Sequence, residues 1–143
     1  MGTIGKAIAI ASKAFEGKKD KGGNAYILHC LHVMNGVKHL GEHAMILAVL
    51  HDLVEDCSEW TFELLQKEGF GLYTITLLNA LTKKEGEDYM DYIKRAACYP
   101  ITAAIKREDL KHNSDITRLK GFSKKDFDRL EKYAIAYEYL KNI

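Results

Sequence analysis

The sequence predicts an all-α fold of about eight helices, and three observations carry that reading. Apolar residues recur every three to four positions along most of the chain. No stretch alternates with period two for long enough to form a strand. The 143 residues also hold a single proline, whereas all-β chains spend proline and glycine on many turns. This length fits one domain, residues 1–143. Such a chain buries roughly two-thirds of its unfolded surface and needs no disulfide or structural metal to do so.

The elements follow in order between glycine-marked turns. Ile4 to Phe15 reads as the first helix. Asn24 to Lys38 reads as the second, with Ile27, Leu31 and Met34 at helical spacing. Glu42 to Glu55 is the third, and its run Ala44–Leu50 is apolar nearly all round, which places it centrally in the core. Thr61 to Lys67 and Leu72 to Leu81 form the fourth and fifth. Glu87 to Ala97 is the sixth, with Tyr89, Ile93 and Ala97 on one stripe. Pro100 opens the seventh, which runs to about Lys111, because proline is tolerated in a first helical turn. Ser123 is a good N-cap for the last, Lys124 to Lys141, whose stripe is Phe127, Leu130, Ala134, Tyr137 and Leu140.

Composition narrows the function classes. A 47% hydrophobic fraction excludes disorder as the main state. The 21 Lys+Arg against 20 Asp+Glu exclude a globally basic nucleic-acid binder. No apolar run approaches the roughly 18 residues of a membrane span. Met1 to Ala14 carries Lys6 and Lys13 and lacks the regional order of a signal peptide. Cys30, Cys57 and Cys98 are odd in number and form no CxxC, so a disulfide framework is not expected. These features describe a cytoplasmic protein with no membrane and no nucleic-acid partner.

The third helix runs from core directly into chemistry at His51-Asp52-Leu53-Val54-Glu55-Asp56. His51 and Glu55 are four apart, as are Asp52 and Asp56, so each pair shares a helix face. Carboxylates at a helix C-terminus oppose the helix dipole and repel one another. A cation would remove that repulsion. Imidazole and carboxylate donors suit manganese, iron, zinc or nickel better than calcium. Further ligands must come from elsewhere. His29 sits in an apolar helical run, and Asp109 follows the apolar turns Ile101–Ile105. Taken singly, His29 reads more readily as a hydrogen-bonded core histidine and Asp109 as a surface charge among lysines. Lys106, Arg107 and Lys111 read as helix-surface charges, or else as substrate-facing, and Lys18 and Lys19 as a solvated loop, or else as part of the field around the substrate. The joint order of a histidine, HDxxED and a later Asp-x-x-x-Asn is what points to a site.

These blocks resemble HD-domain alarmone hydrolases. Asp20 to His29 resembles the segment that brings their first histidine, His51 to Asp56 their HDxxED motif, and Ile105 to Asn113 their last metal-aspartate segment. Order and spacing match the hydrolase domain of Rel/Spo homologues and the stand-alone small alarmone hydrolases, from Asp20 to about Arg118. The resemblance implies a single HD-type helical domain and one divalent metal ion, usually manganese, held by His29, His51, Asp52 and Asp109. It implies removal of the 3′-pyrophosphate from (p)ppGpp or related alarmones such as ppApp, small-molecule nucleotides of the stringent response. Glu55 and Asp56 match the catalytic acidic pair that positions and activates water. Lys21 matches a basic substrate contact, and Asn113 a residue lining the nucleotide pocket.

The chain departs from the family at Asp20, where Rel-type enzymes commonly carry a base-holding arginine, and at Ala25 and Cys30, commonly proline. Guanine against adenine preference is therefore open. Short hydrolases of this kind can act as antitoxins towards alarmone-synthesising toxins, a role not visible in the residues, and a homo-oligomer is left open. Two other readings remain: another HD-superfamily nucleotide phosphohydrolase or phosphodiesterase, and a non-catalytic nucleotide-binding HD module. The Glu55-Asp56 pair and the full ligand set argue for the hydrolase.

Overall fold

The computed structural model describes residues 1–143. It is all-helical, with eight helices of six residues or more, one further single-turn helix and two short 3₁₀ turns. The only extended pairing is an isolated antiparallel bridge between Lys19 and Ala25. In order, the helices are α1 (Ile4–Ala14), α2 (Ile27–Gly36), α3 (Glu42–Leu50), α4 (Leu53–Asp56), α5 (Phe62–Lys67), α6 (Leu72–Ala80), α7 (Tyr89–Ala96), α8 (Pro100–Asn113) and α9 (Lys124–Lys141).

Local signals start these helices. Thr3 and Thr61 accept backbone N–H bonds from Lys6 and Leu64. Asp88 accepts from Met90 and Asp91, and Ser123 forms a capping box with Asp126. Pro100 sits in the first turn of α8. As its composition requires, α3 is central: Ala44, Ile46, Leu47, Ala48, Val49 and Leu50 are all buried. It packs against α1, α2, α6 and α8. Each fully buried leucine or valine contributes roughly 1.5–3 kcal/mol, so this nine-residue helix anchors the main core. A second apolar cluster joins Tyr92 and Ile93 of α7, Ala103 and Leu110 of α8, and Ala136 and Leu140 of α9. Helix α8 belongs to both clusters, because Ile105 lies in the first. Cys30 and Cys57 are buried thiols, Cys98 is exposed, and none is paired.

Near the site, two helix limits and one helix face depart from the sequence reading. The second helix begins at Ile27 rather than Asn24. The Asp20 carboxylate accepts from the backbone N–H groups of Gly22 and Asn24, each at 2.9 Å, and holds 20–24 in a tight turn that cannot continue a helix. The third helix is not continuous to Glu55. At His51 the backbone N–H bonds back to the Ala48 carbonyl, and His51 Nδ1 reaches the same oxygen at 2.5 Å. Asp52 then starts the separate turn α4. Glu55 and Asp56 thus occupy the first turn of a new helix, not the C-terminus of a long one. In the last helix, Phe127 and Ala134 face solvent, and the buried line runs through Ala136 and Leu140, flanked by Tyr133 and Tyr137.

Candidate metal centre and cleft

Four separate elements converge on one point. His29 comes from α2, His51 from the end of α3, Asp52 from the cap of α4, and Asp109 from α8. One donor atom from each lies within 4.8 Å of all the others. His29 Nε2 is 2.9 Å and His51 Nε2 3.2 Å from Asp109 Oδ1. His51 Nε2 is 3.0 Å and His29 Nε2 3.7 Å from Asp52 Oδ2. Both histidines and Asp109 are buried.

The donor set fits a divalent cation on its own chemistry. The Ala48 carbonyl can only accept, so His51 Nδ1 carries the proton. In the neutral ring, Nε2 then turns a lone pair towards two carboxylates. A proton or a metal ion must sit between them. Without a metal the proton takes that place: burial would lower the His51 pKa, but the Asp52 and Asp109 charges outweigh it and hold it well above the usual imidazole range. Burial alone would raise Asp109, yet Lys106 and His51 keep it far below the usual carboxylate range.

Glu55 and Asp56 stand beside this group at the open mouth of a cleft. Glu55 Oε1 accepts the backbone N–H of Lys83 at 3.0 Å. Partial desolvation, with the Asp52 and Glu55 charges, pushes Asp56 up to about 6. The cleft holds about 500 Å³. Its other walls carry Lys21, Lys83, Arg118, Arg129 and Lys132. Desolvation and the neighbouring charges of Lys83, Lys106, Arg129 and Lys21 lower the Lys132 pKa, a sign of concentrated positive charge. The cleft thus carries basic residues beside the acidic donor group, with Arg118 paired to Asp20 and Arg129 to Asp126.

Lys21 and Asn113 both line the cleft. Asn113 also donates from Nδ2 to Asp109 Oδ1 at 3.0 Å, so it steadies the donor group directly. Lys106 differs from its reading as a surface charge. It is buried, with Nζ 2.6 Å from Asp109 Oδ2 and 4.9 Å from the Tyr92 ring centroid. Sequence reasoning missed two other supports. Tyr26 donates its hydroxyl to Asp52 Oδ2 at 2.7 Å, and His112 Nδ1 lies 2.7 Å from His29 Nδ1. The available signal was spacing: Lys106 and His112 lie one helical turn either side of Asp109.

Lys21 is presented by the 18–26 loop. Lys18 bonds the Asp56 carbonyl, and Asp20 pairs with Arg118 Nη2 at 3.0 Å. Burial works against the Asp20 charge, but the Asn24 N–H and Arg118 outweigh it and lower its pKa. Gly22 lies so close to the next strand of chain that a Cβ there would sit 1.7 Å from the Arg118 carbonyl oxygen. Only glycine permits that approach.

The donor group on this fold defines a helical domain with a His₂Asp₂ candidate metal centre in a charged cleft. No protein-family model and no curated protein matches the sequence. Among solved structures, the chain is similar to a metazoan ortholog of SpoT that hydrolyzes ppGpp and plays a role in starvation responses. The TM-score is 0.78 at 20% identity, over 96% of this chain and 84% of that one. At that identity the likeness establishes the shared fold. No helix here is long and apolar enough to cross a membrane.

Proposed function

We propose that residues 1–143 form one metal-dependent hydrolase domain that removes the 3′-pyrophosphate from (p)ppGpp or ppApp. The observation that carries this reading is the convergence of His29, His51, Asp52 and Asp109 within 4.8 Å in a cleft that also carries Lys21, Lys83 and Lys132. The shared fold with a ppGpp-hydrolysing SpoT ortholog supports it. Those four residues would hold one divalent ion, with manganese as the expected metal. Such an ion supplies Lewis-acid polarisation of the phosphoryl group and a lowered water pKa.

The chain's own residues do the rest. Glu55 and Asp56 orient water at the cleft mouth, and one of them takes its proton. Lys21 offsets charge on the departing pyrophosphate. Asn113 holds Asp109 in place and borders the nucleotide. A cytoplasmic location follows from a soluble nucleotide substrate.

The test is pyrophosphate release from ppGpp and from ppApp, with and without manganese. Manganese-dependent release from either supports the reading. Intact nucleotides across several metals would sink it. Turnover only of simple nucleotides or cyclic nucleotides would favour the wider superfamily activity.

A further inference from the structure

One part-buried contact beside the donor group has no role in the reaction outlined above. His29 presents Nε2 to Asp109, and its other nitrogen, Nδ1, lies 2.7 Å from Nδ1 of His112. The two rings are 5° from parallel, with centroids 5.0 Å apart. A 2.7 Å nitrogen separation within a 5.0 Å centroid separation puts both nitrogens near the line joining the rings. The contact is therefore edge to edge in a common plane, the geometry of a linear N–H···N hydrogen bond rather than a face-to-face stack. His32 does stack on His112, with centroids 3.7 Å apart at 12°. Arg118 Nη1 donates to the His112 carbonyl at 2.7 Å and fixes the end of α8 beneath it.

Two nitrogens facing each other must share one proton. If His112 donates it, His29 is left with its proton on Nε2, directed at Asp109 and unable to ligate. If His29 donates it, the Nε2 lone pair is free. We propose that His112 is a positioning residue that selects the metal-binding tautomer of His29 by accepting its Nδ1 proton. This rests on the metal-centre reading above. The same task at His51 falls to the Ala48 carbonyl, an acceptor that cannot exchange roles. At His29 the acceptor is an imidazole whose own tautomer must agree. The stack with His32 limits rotation of that ring and keeps its Nδ1 in line.

The experiment combines zinc-loaded protein labelled with ¹⁵N-histidine and manganese titration of two variants. In the zinc-loaded wild type, His29 should show a protonated Nδ1 and a metal-bound Nε2. His112→Phe keeps a ring against His32 but offers no acceptor, whereas His112→Asn places an amide oxygen near the original Nδ1. Manganese affinity should fall roughly 10- to 100-fold in H112F and recover in H112N. Metal-free unfolding midpoints should stay close to wild type in both. A protonated Nε2 on His29 in the zinc-loaded wild type would overturn the proposal, whether or not H112F folds. Wild-type manganese affinity in H112F would overturn it alone. Failure of the wild type to bind either metal would overturn the metal-centre reading as well.

Discussion

Lys106 Nζ lies 2.6 Å from Asp109 Oδ2, one turn earlier on α8, and both side chains are buried. The pair places a fixed positive charge behind a carboxylate whose other oxygen faces two imidazoles. Removing one partner of a buried pair leaves the other uncompensated. Lys106→Met should therefore cost about 3 kcal/mol in metal-free protein. Added manganese should recover part of that loss, since a cation then faces Asp109 from the other side. Urea denaturation with and without manganese measures both, and equal stability of variant and wild type would contradict the pairing.

Metal loading should stabilise the fold by mass action. At a free concentration of about 1,000 times the dissociation constant the gain is about 4 kcal/mol. His51→Ala and Asp52→Ala should abolish that gain. Thermal unfolding of each protein across a manganese series is the measurement, and a parallel rise in the variants would contradict the ligand assignment.

Asp56 should trade stability against turnover. Its pKa is raised to about 6 from an ordinary 3.8, so ionising it costs the folded state. The cost is absent below about pH 4, grows as pH rises, and is complete above about 6. Asp56→Asn should gain about 1 kcal/mol at pH 8 in metal-free protein, since water at the cleft mouth screens much of the repulsion. It should gain nothing at pH 3. Turnover should fall about 10²- to 10⁴-fold in D56N and likewise in Glu55→Gln. Denaturation at the two pH values, with steady-state rates, tests the pair of effects.

The opposite sign holds at Glu87. Arg95 binds both of its carboxylate oxygens, and also the Asn79 and Thr82 carbonyls, tying α6 to α7. That grip lowers the Glu87 pKa to about 2 from 4.5. Its stabilisation is complete above about pH 4.5 and is lost as pH falls towards 2. Glu87→Gln should cost about 1 kcal/mol at pH 7 and little at pH 2, by denaturant midpoints.

Gly22→Ala should disturb the 18–26 loop without touching the core. The added carbon would meet the Arg118 carbonyl at 1.7 Å, so one of the two segments must move. Lys21 moves with it, and KM for the proposed alarmone substrate should rise while far-ultraviolet circular dichroism stays unchanged. An unaltered KM would separate Lys21 from substrate binding.

The helical class and the central place of α3 were readable because both depend on period and composition along one element. The break at His51-Asp52 was not, since it arises from a side chain competing for the Ala48 carbonyl. That break matters to the site. Adjacent positions on a straight helix diverge by about 100°, too far for neighbouring side chains to meet one small ion easily. Ending α3 at Leu50 lets His51 and Asp52 approach within 3.0 Å at Nε2 and Oδ2. The four donors could be picked out by residue type and order, but their supports could not. Lys106 lies among Lys and Arg residues and reads as surface until α7 and Tyr92 cover it. Tyr26 looks like one more apolar position until its hydroxyl meets Asp52. On α9 the expected stripe holds at Tyr137 and Leu140, whereas Phe127 and Ala134 face solvent and Ala136 takes the buried place.

Helix α8 carries Asp109 at a seam between two apolar bodies, with Ile105 seated in one and Ala103 and Leu110 in the other. Arg107 adds a bond from Nη1 to the Leu140 carbonyl at 3.0 Å. The carboxylate is thus carried by a beam seated in two bearings, one for each apolar body. The α9 residues Ala136 and Leu140, which lie outside the cleft, form part of one bearing. Slack at that outer bearing would shift the carboxylate without altering any residue that lines the cleft.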